Sequence, residues 1–294
     1  MDLTDLSSVI EAIKHCDPDE VYNLAAQSFV GRSFEEPIST SEVTGIGTTR
    51  VLEAARILKI NARIYQASTS ELYGNETSTL KSEKTSFSPE SPYAAAKQYS
   101  YWIGEIYKKG YGMFVANGIL FNHESPIRGM EFVTRKVTNA AARIKLGLQD
   151  KLFLGNMDAI RDWGFAGDYV EAMWLMLQQS APENYVISTG IGHSVENLVD
   201  LVFKEAGLSK DEYVFVEPAL KRVNEVNALI GDNTMAREVL GWKPKTSFKS
   251  LIELMYKEDL RRWSEYLSGK QVVWDAPSYS ERVRIASVRY SIKV

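Results

Sequence analysis

Apolar residues along the chain fall alternately into short strand-like runs and into longer stretches with helical spacing. The first half predicts a helix from Leu6 to His15, a break at Asp17-Pro18, and a strand from Glu20 to Ala25. A long helix is expected over Ser41 to Leu58, then a strand over Arg63 to Ser68. Another helix fills Pro92 to Lys109, and a strand runs from Phe114 to Phe121. Beyond this point the alternation loosens. Thr134 to Leu146 and Asp168 to Gln179 read as helices, and Tyr185 to Thr189 as a strand. Ser194 is a natural N-cap for a helix to Ala206, with Asn197 where Glu or Gln would complete a capping box. The run from Gly241 to Phe248 is a loop that delivers a final helix, Phe248 to Tyr266. After Ser268, Ala286, Val288, Tyr290, Ile292 and Val294 alternate with Ser287, Arg289, Ser291 and Lys293, the period of a half-buried strand. Strands alternating with helices predict an α/β fold, a doubly wound parallel sheet with helices on both faces.

Composition narrows the function class. The 294 residues carry a formal net charge of −4, which gives no electrostatic case for nucleic acid or an anionic membrane. Apolar runs stay well short of the ~20 residues a membrane helix needs. The first twenty residues place acids where a signal peptide carries Lys or Arg. One cysteine, Cys16, excludes an internal disulfide and fits a reducing compartment. Three histidines and that cysteine form no metal-ligand spacing, so no metal is expected. The expectation is a soluble, cytoplasmic enzyme.

Candidate chemistry concentrates in Gln66 to Gly74 and Ser91 to Lys97. Tyr93 and Lys97 are four apart on an expected helix and share one face. A cation beside a phenol favours phenolate and lowers its pKa from about 10. Such a phenol can take the proton of an alcohol while hydride leaves the carbon. Thr69 and Glu71, two apart at a strand end, are expected on the same side, where open α/β sheets gather their active-site groups. Alone, Tyr-x-x-x-Lys is more often a surface pair, and Thr-x-Glu more often a turn. Together, in this order, they point to a site.

Four segments carry a family resemblance: Ser68 to Gly74, Ser91 to Lys97, Asn122 to Pro126 and Arg161 to Gly164. They resemble the signature segments of the GDP-mannose 4,6-dehydratase family, extended short-chain dehydrogenases. The likeness continues through Leu240 to Pro244 and covers the chain to about Tyr266. It implies a Rossmann-like fold, NADP as cofactor, GDP-mannose as substrate, and a homodimer or homotetramer. Catalysis would fall to Thr69, Glu71, Tyr93 and Lys97. Asp2, Leu3, Leu24, Ala25, Ala26, Gln27, Ser28, Lys97, His123 and Arg128 match cofactor-contacting positions. Asn122, Lys136, Arg161, Arg222 and Glu225 fit a diphosphate and ribose site, with cations for phosphate and a carboxylate for the diol.

The sequence also departs from the family. No Gly-rich G-x-x-G-x-x-G turn occurs, and the chain opens at the segment expected after a third strand. At about 30 residues per βαβ unit, roughly 60 residues with the phosphate cradle are expected to be missing. Ile127 stands where the family has an arginine, and Val223-Asn224 replaces Pro-Ala. The expected division is a partial NADP-binding domain over 1–125 with returning segments near 158–190, a mainly substrate-binding lobe over 126–267, and a tail, 268–294, without an assigned role. Another nucleotide-sugar dehydratase or epimerase, or a truncated non-catalytic paralogue, stands as the alternative reading.

Overall fold

A computed structural model describes residues 1–220 and 224–270. The first helix, α1 (Leu6–Cys16), is capped by Asp5, whose carboxylate accepts from the Ser7 and Ser8 amides. Strand β1 (Glu20–Asn23) follows, then two single-turn helices, α2 (Val30–Ser33) and α3 (Pro37–Thr40). A π-helical turn (Ser41–Ile46) leads into α4 (Gly47–Leu58), and β2 (Arg63–Ala67) into a 3-10 turn, Ser70–Tyr73. Next come α5 (Pro92–Tyr111), β3 (Val115–Leu120), β4 (Asn122–Glu124), α6 (Val133–Lys145), β5 (Leu152–Leu154), β6 (Ile160–Phe165) and α7 (Ala166–Leu177). The remainder runs β7 (Tyr185–Ile187), β8 (Gly192–Ser194), α8 (Val195–Ala206), α9 (Lys210–Tyr213), β9 (Val214–Val216), β10 (Ala228–Leu229), α10 (Thr234–Leu240) and α11 (Phe248–Leu267).

Four strands pair in the order β1-β2-β3-β7, all parallel. Side chains alternate across them. Tyr65, Ala67, Ala116, Leu120, Tyr185 and Ile187 pack with α7 through Met173 and Met176, with α10 through Ala236 and Leu240, and with Trp242 beyond it. On the opposite face Ile64 and Val115 pack with Leu52 of α4 and Tyr107 of α5. Both faces are therefore covered by helices, as a parallel sheet requires, and the α/β reading holds. A second sheet, β10-β6-β4 with β8 antiparallel on β6, carries Arg161 and His123. Beneath it α6, α8 and α11 enclose a separate core built on Val199, Leu251, Met255 and Trp163.

Several boundaries move from those expected, each for a local reason. Strand β1 stops at Asn23 rather than Ala25, because the Asn23 side chain accepts from the Ala25 amide at 3.3 Å and turns the backbone. The helix expected from Ser41 begins as a π turn. Here the Thr44 carbonyl accepts the hydroxyls of Ser100 (2.6 Å) and Thr48 (3.1 Å), which competes with the regular ladder. Strand β7 ends at Ile187, because Asp162 takes the Thr189 and Gly190 amides, each at 2.8 Å. Asn197 itself completes the capping box, with Asn197 N to Ser194 Oγ at 3.0 Å and Ser194 N to Asn197 Oδ1 at 3.1 Å. The loop before α11 is pinned by Asp168, whose carboxylate accepts from the Lys245 and Thr246 amides. The alternating run 286–294 lies outside the described residues, as do Arg222 and Val223.

Candidate active site

Two helix-entry devices bring the reactive groups to the carboxyl end of β2. Ser91, in extended backbone, accepts the Ala94 amide at 3.1 Å, and Pro92 occupies the first helical position, where no N–H is needed. This places Tyr93 in the first turn of α5 and Lys97 one turn on. On the strand side, Thr69 caps the 3-10 turn by accepting the Glu71 amide at 3.2 Å. Glu71 therefore lies on a tight turn and not on a strand, so the expected strand alternation does not relate it to Thr69. The turn displaces the alternation because a threonine hydroxyl at a strand end offers the backbone a nearer acceptor than the ladder does. Gly74 closes the turn at φ +52°, where a Cβ would fall 1.9 Å from the Ser88 carbonyl oxygen; only glycine fits.

Tyr93 and Thr69 are both 8% exposed, and a hydrogen bond joins their side chains. Burial pushes the Tyr93 phenol up to about 12. The Thr69 bond and the Arg128 charge pull it down, and the Glu71 carboxylate pushes it up. This corrects the expected lowering of the Tyr93 phenol by Lys97: burial outweighs the neighbouring charge and raises it. Lys97 turns its ammonium to the Ala67 carbonyl at 2.7 Å, and Arg128 is the cation that acts on the phenol. Lys97 is 3% exposed, and burial brings its ammonium down to about 8.

Arg128 comes from the turn after β4. Its Nε lies 3.2 Å from Glu124 Oε2, and its guanidinium sits 3.5 Å from the Phe132 ring centroid. His123 stacks on Tyr169 at 5.1 Å, with Nδ1 2.9 Å from the Phe121 carbonyl oxygen; burial lowers its pKa. Thr69, Glu71, Tyr93, Lys97, His123 and Arg128 are thus one cluster, linked by hydrogen bonds and mutual charge. Asn122 lies beside His123 on β4 and pairs with Trp163 of β6. Arg161 sits on β6, 6% exposed, opposite Leu229 and His193. Lys136 on α6 is partly buried, and desolvation lowers its pKa. The Glu225 carbonyl accepts from Asn75 at 2.8 Å, tying that segment to the loop after Gly74.

Leu24 to Ser28 form the loop at the carboxyl end of β1, with Leu24 53% exposed. Gln27 is folded into this loop, its amide hydrogen-bonded to Thr40 and to the backbone of Phe29. Asp2 and Leu3 lie at the entry to α1. There Asp2 accepts from Thr4, and the Leu3 carbonyl accepts from Arg50 of α4. Two groups escaped the sequence reading. Glu124, 1% exposed, accepts from Thr134 at 2.5 Å and fixes Arg128; it lay inside the Asn122 to Pro126 signature without a role. Ser68 is buried with its hydroxyl unpartnered, next in the chain to Ala67, whose carbonyl holds Lys97. An orphaned hydroxyl and a buried ammonium with one carbonyl partner fit a polyhydroxylated ligand such as a cofactor ribose. Among the described residues no His/Cys/Asp/Glu group could hold a metal, and no helix is long and apolar enough to cross a membrane.

Comparison with known proteins places the chain in a family. The family described as GDP-mannose 4,6 dehydratase matches residues 1–255. GDP-mannose 4,6 dehydratase 2 of Arabidopsis thaliana is 53% identical over 279 residues, 94% of this chain and 74% of that protein. The structure of RMD from Pseudomonas aeruginosa complexed with NADPH superposes with a TM-score of 0.81 at 23% identity, covering 89% of this chain and 88% of that one. The UDP-glucose 4-epimerase of Thermus thermophilus, complexed with NAD, gives 0.78 at 27% identity, covering 88% and 83%.

Proposed function

This chain belongs to the GDP-mannose 4,6-dehydratase family, and we propose that it converts GDP-mannose to GDP-4-dehydro-6-deoxy-D-mannose with Tyr93, Thr69 and Glu71 moving the protons. The observation that carries the assignment is their convergence at the end of β2, with Tyr93 bonded to Thr69 and under the charges of the Glu71 carboxylate and the Arg128 cation. The Tyr93 oxygen accepts the proton of the sugar 4-hydroxyl, and Thr69 hydrogen-bonds the 4-oxygen. A ketone at C4 acidifies the C5 proton, which Glu71 removes. Glu71 then delivers a proton to the 6-hydroxyl, which departs as water. A nicotinamide cofactor, in this proposal NADP, would when bound supply the hydride chemistry at C4 and C6.

Lys97, His123 and Arg128 would hold the cofactor, with Asp2, Leu3 and the Leu24–Ser28 loop alongside. The unpartnered Ser68 hydroxyl and the buried Lys97 ammonium support this. Asn122, Lys136 and Arg161, together with Arg222, would take the diphosphate, and Glu225 the ribose diol. Lys136 supports that role, being a desolvated cation with no carboxylate partner among the described residues. In this reading residues 1–125 mainly bind cofactor and 126–267 mainly bind substrate. The single cysteine supports a reducing, cytoplasmic setting. The exposed stripe Tyr99, Trp102 and Ile106 on α5 supports a homodimer or homotetramer. Light scattering that gives a monomer at micromolar concentration would remove that last point. The function is tested by offering GDP-mannose, dTDP-glucose and UDP-glucose with NADP and measuring the 4-dehydro-6-deoxy product. GDP-mannose should be turned over preferentially, and a preference for a thymidine or uridine nucleotide would overturn the proposal.

A further inference from the structure

Far from Tyr93 in sequence, α6 and α11 share a buried ion cluster. Arg135 and Asp259 are both fully buried, and Arg135 Nε lies 2.7 and 3.0 Å from the two Asp259 oxygens. Thr138 donates to the same carboxylate at 2.7 Å, and Arg262 Nη1 approaches it at 3.7 Å. Each arginine also reaches out of the cluster. Arg135 Nη1 donates to the Arg128 carbonyl at 2.8 Å, and Arg262 Nη1 donates to the Pro126 carbonyl. Both carbonyls belong to one turn, closed by the Arg128 amide on the Ser125 carbonyl at 3.0 Å. The side chain of Arg128 is then held by Glu124, which Thr134 of α6 fixes in turn.

A buried ion pair is weak evidence for stability, since apolar residues of similar size often serve as well. What apolar residues could not do is grip two backbone carbonyls of a four-residue turn. We infer that Asp259 is a positioning residue for the reaction: through Arg135 and Arg262 it holds the Ser125–Arg128 turn so that the Arg128 charge stays beside the Tyr93 phenol. This rests on the assignment of Tyr93 as the base. The charges that act on that phenol are Glu71 from the 3-10 turn and Arg128 from this turn; Lys97 of its own helix, His123 of β4 and Glu124 complete the charged groups of the cluster. Lys97 is tied to Ala67 and Glu71 sits on a capped turn. Arg128 is thus the charge whose place depends on α11.

The test compares kcat against pH for the wild type, Asp259→Asn, Arg128→Met and the double variant. Activity that needs the phenolate rises through its pKa, so a displaced Arg128 moves the acidic limb to higher pH. Asp259→Asn should shift it by about half a pH unit or more, a fraction of what a full charge at ~4–6 Å supplies. Arg128→Met should shift it at least as far, and the double variant no further than Arg128→Met. An unmoved limb with only a lower Tm, or shifts that add in the double variant, would overturn the inference. If Asp259→Asn does not fold, Arg262→Lys keeps the charge but shortens the reach to Pro126. A smaller shift in the same direction supports the clamp, and an unchanged profile overturns it. Amide hydrogen exchange across residues 125–130 reads the clamp without activity: Asp259→Asn should lose protection there. Failure of the base assignment would appear separately, as near-normal turnover by Tyr93→Phe.

Discussion

Replacing Lys97 by methionine separates what the lysine contributes to the reaction from what it does to the fold. Its ammonium is 3% exposed and burial lowers its pKa from 10.5 to about 8. At about 1.4 kcal/mol per pKa unit, holding the protonated form in the folded protein costs on the order of 3 kcal/mol. Methionine is unbranched and of similar length, so it can follow the same channel. The Ala67 carbonyl keeps a donor after the change, because Gln66 Nε2 also reaches it at 3.1 Å. At pH 7 the variant should therefore be more stable than the wild type by about 2–3 kcal/mol, roughly 5–10 °C in Tm for a domain of this size. The pH dependence follows from the depressed pKa. Between about 8 and 10.5 the unfolded chain binds the proton and the folded one does not, so wild-type stability rises across that window. The advantage of Lys97→Met should be full below pH 8 and fade toward pH 10. Paired urea titrations from pH 6 to 10 measure the difference directly. A variant less stable than the wild type at pH 7, or a difference that does not change with pH, would refute the reasoning.

Two further expectations concern the reaction. Tyr93→Phe removes the proposed base while keeping the ring in place, and GDP-mannose turnover at neutral pH should fall by ~10²-fold or more; near-normal turnover would discard Tyr93 as base. Glu71→Gln keeps the side-chain shape but cannot accept the C5 proton. Reduced-nicotinamide absorbance should then accumulate while 6-deoxy product does not, and product at the normal rate would show that elimination uses another group.

Local rules made much of this protein legible in its sequence. The alternation that predicts a parallel sheet survives in β1, β2, β3 and β7, because each strand's burial pattern is written in consecutive residues. Ser91-Pro92 and Ser194 announce their helices by chemistry that acts within three residues. The same locality made the groups Thr69, Glu71, Tyr93 and Lys97 recognisable as a set. Strands β4, β6, β8 and β10 were not legible, since such short segments are strands by virtue of distant partners, as where Ala228 pairs with Ile160. Nor could sequence say which cation acts on the phenol. Helical spacing favoured Lys97, whereas folding turned Lys97 to Ala67 and brought the charge of Arg128 to bear on Tyr93. Asp162, Asp168 and Asp259 look alike as isolated acids along the chain. They become pins only where folding brings to them the amides of Thr189 and Gly190, of Lys245 and Thr246, and the guanidinium of Arg135. Hydrogen-bond reach and burial depend on distance through space, and for a contact between residues 124 apart in the chain no local pattern carries that distance.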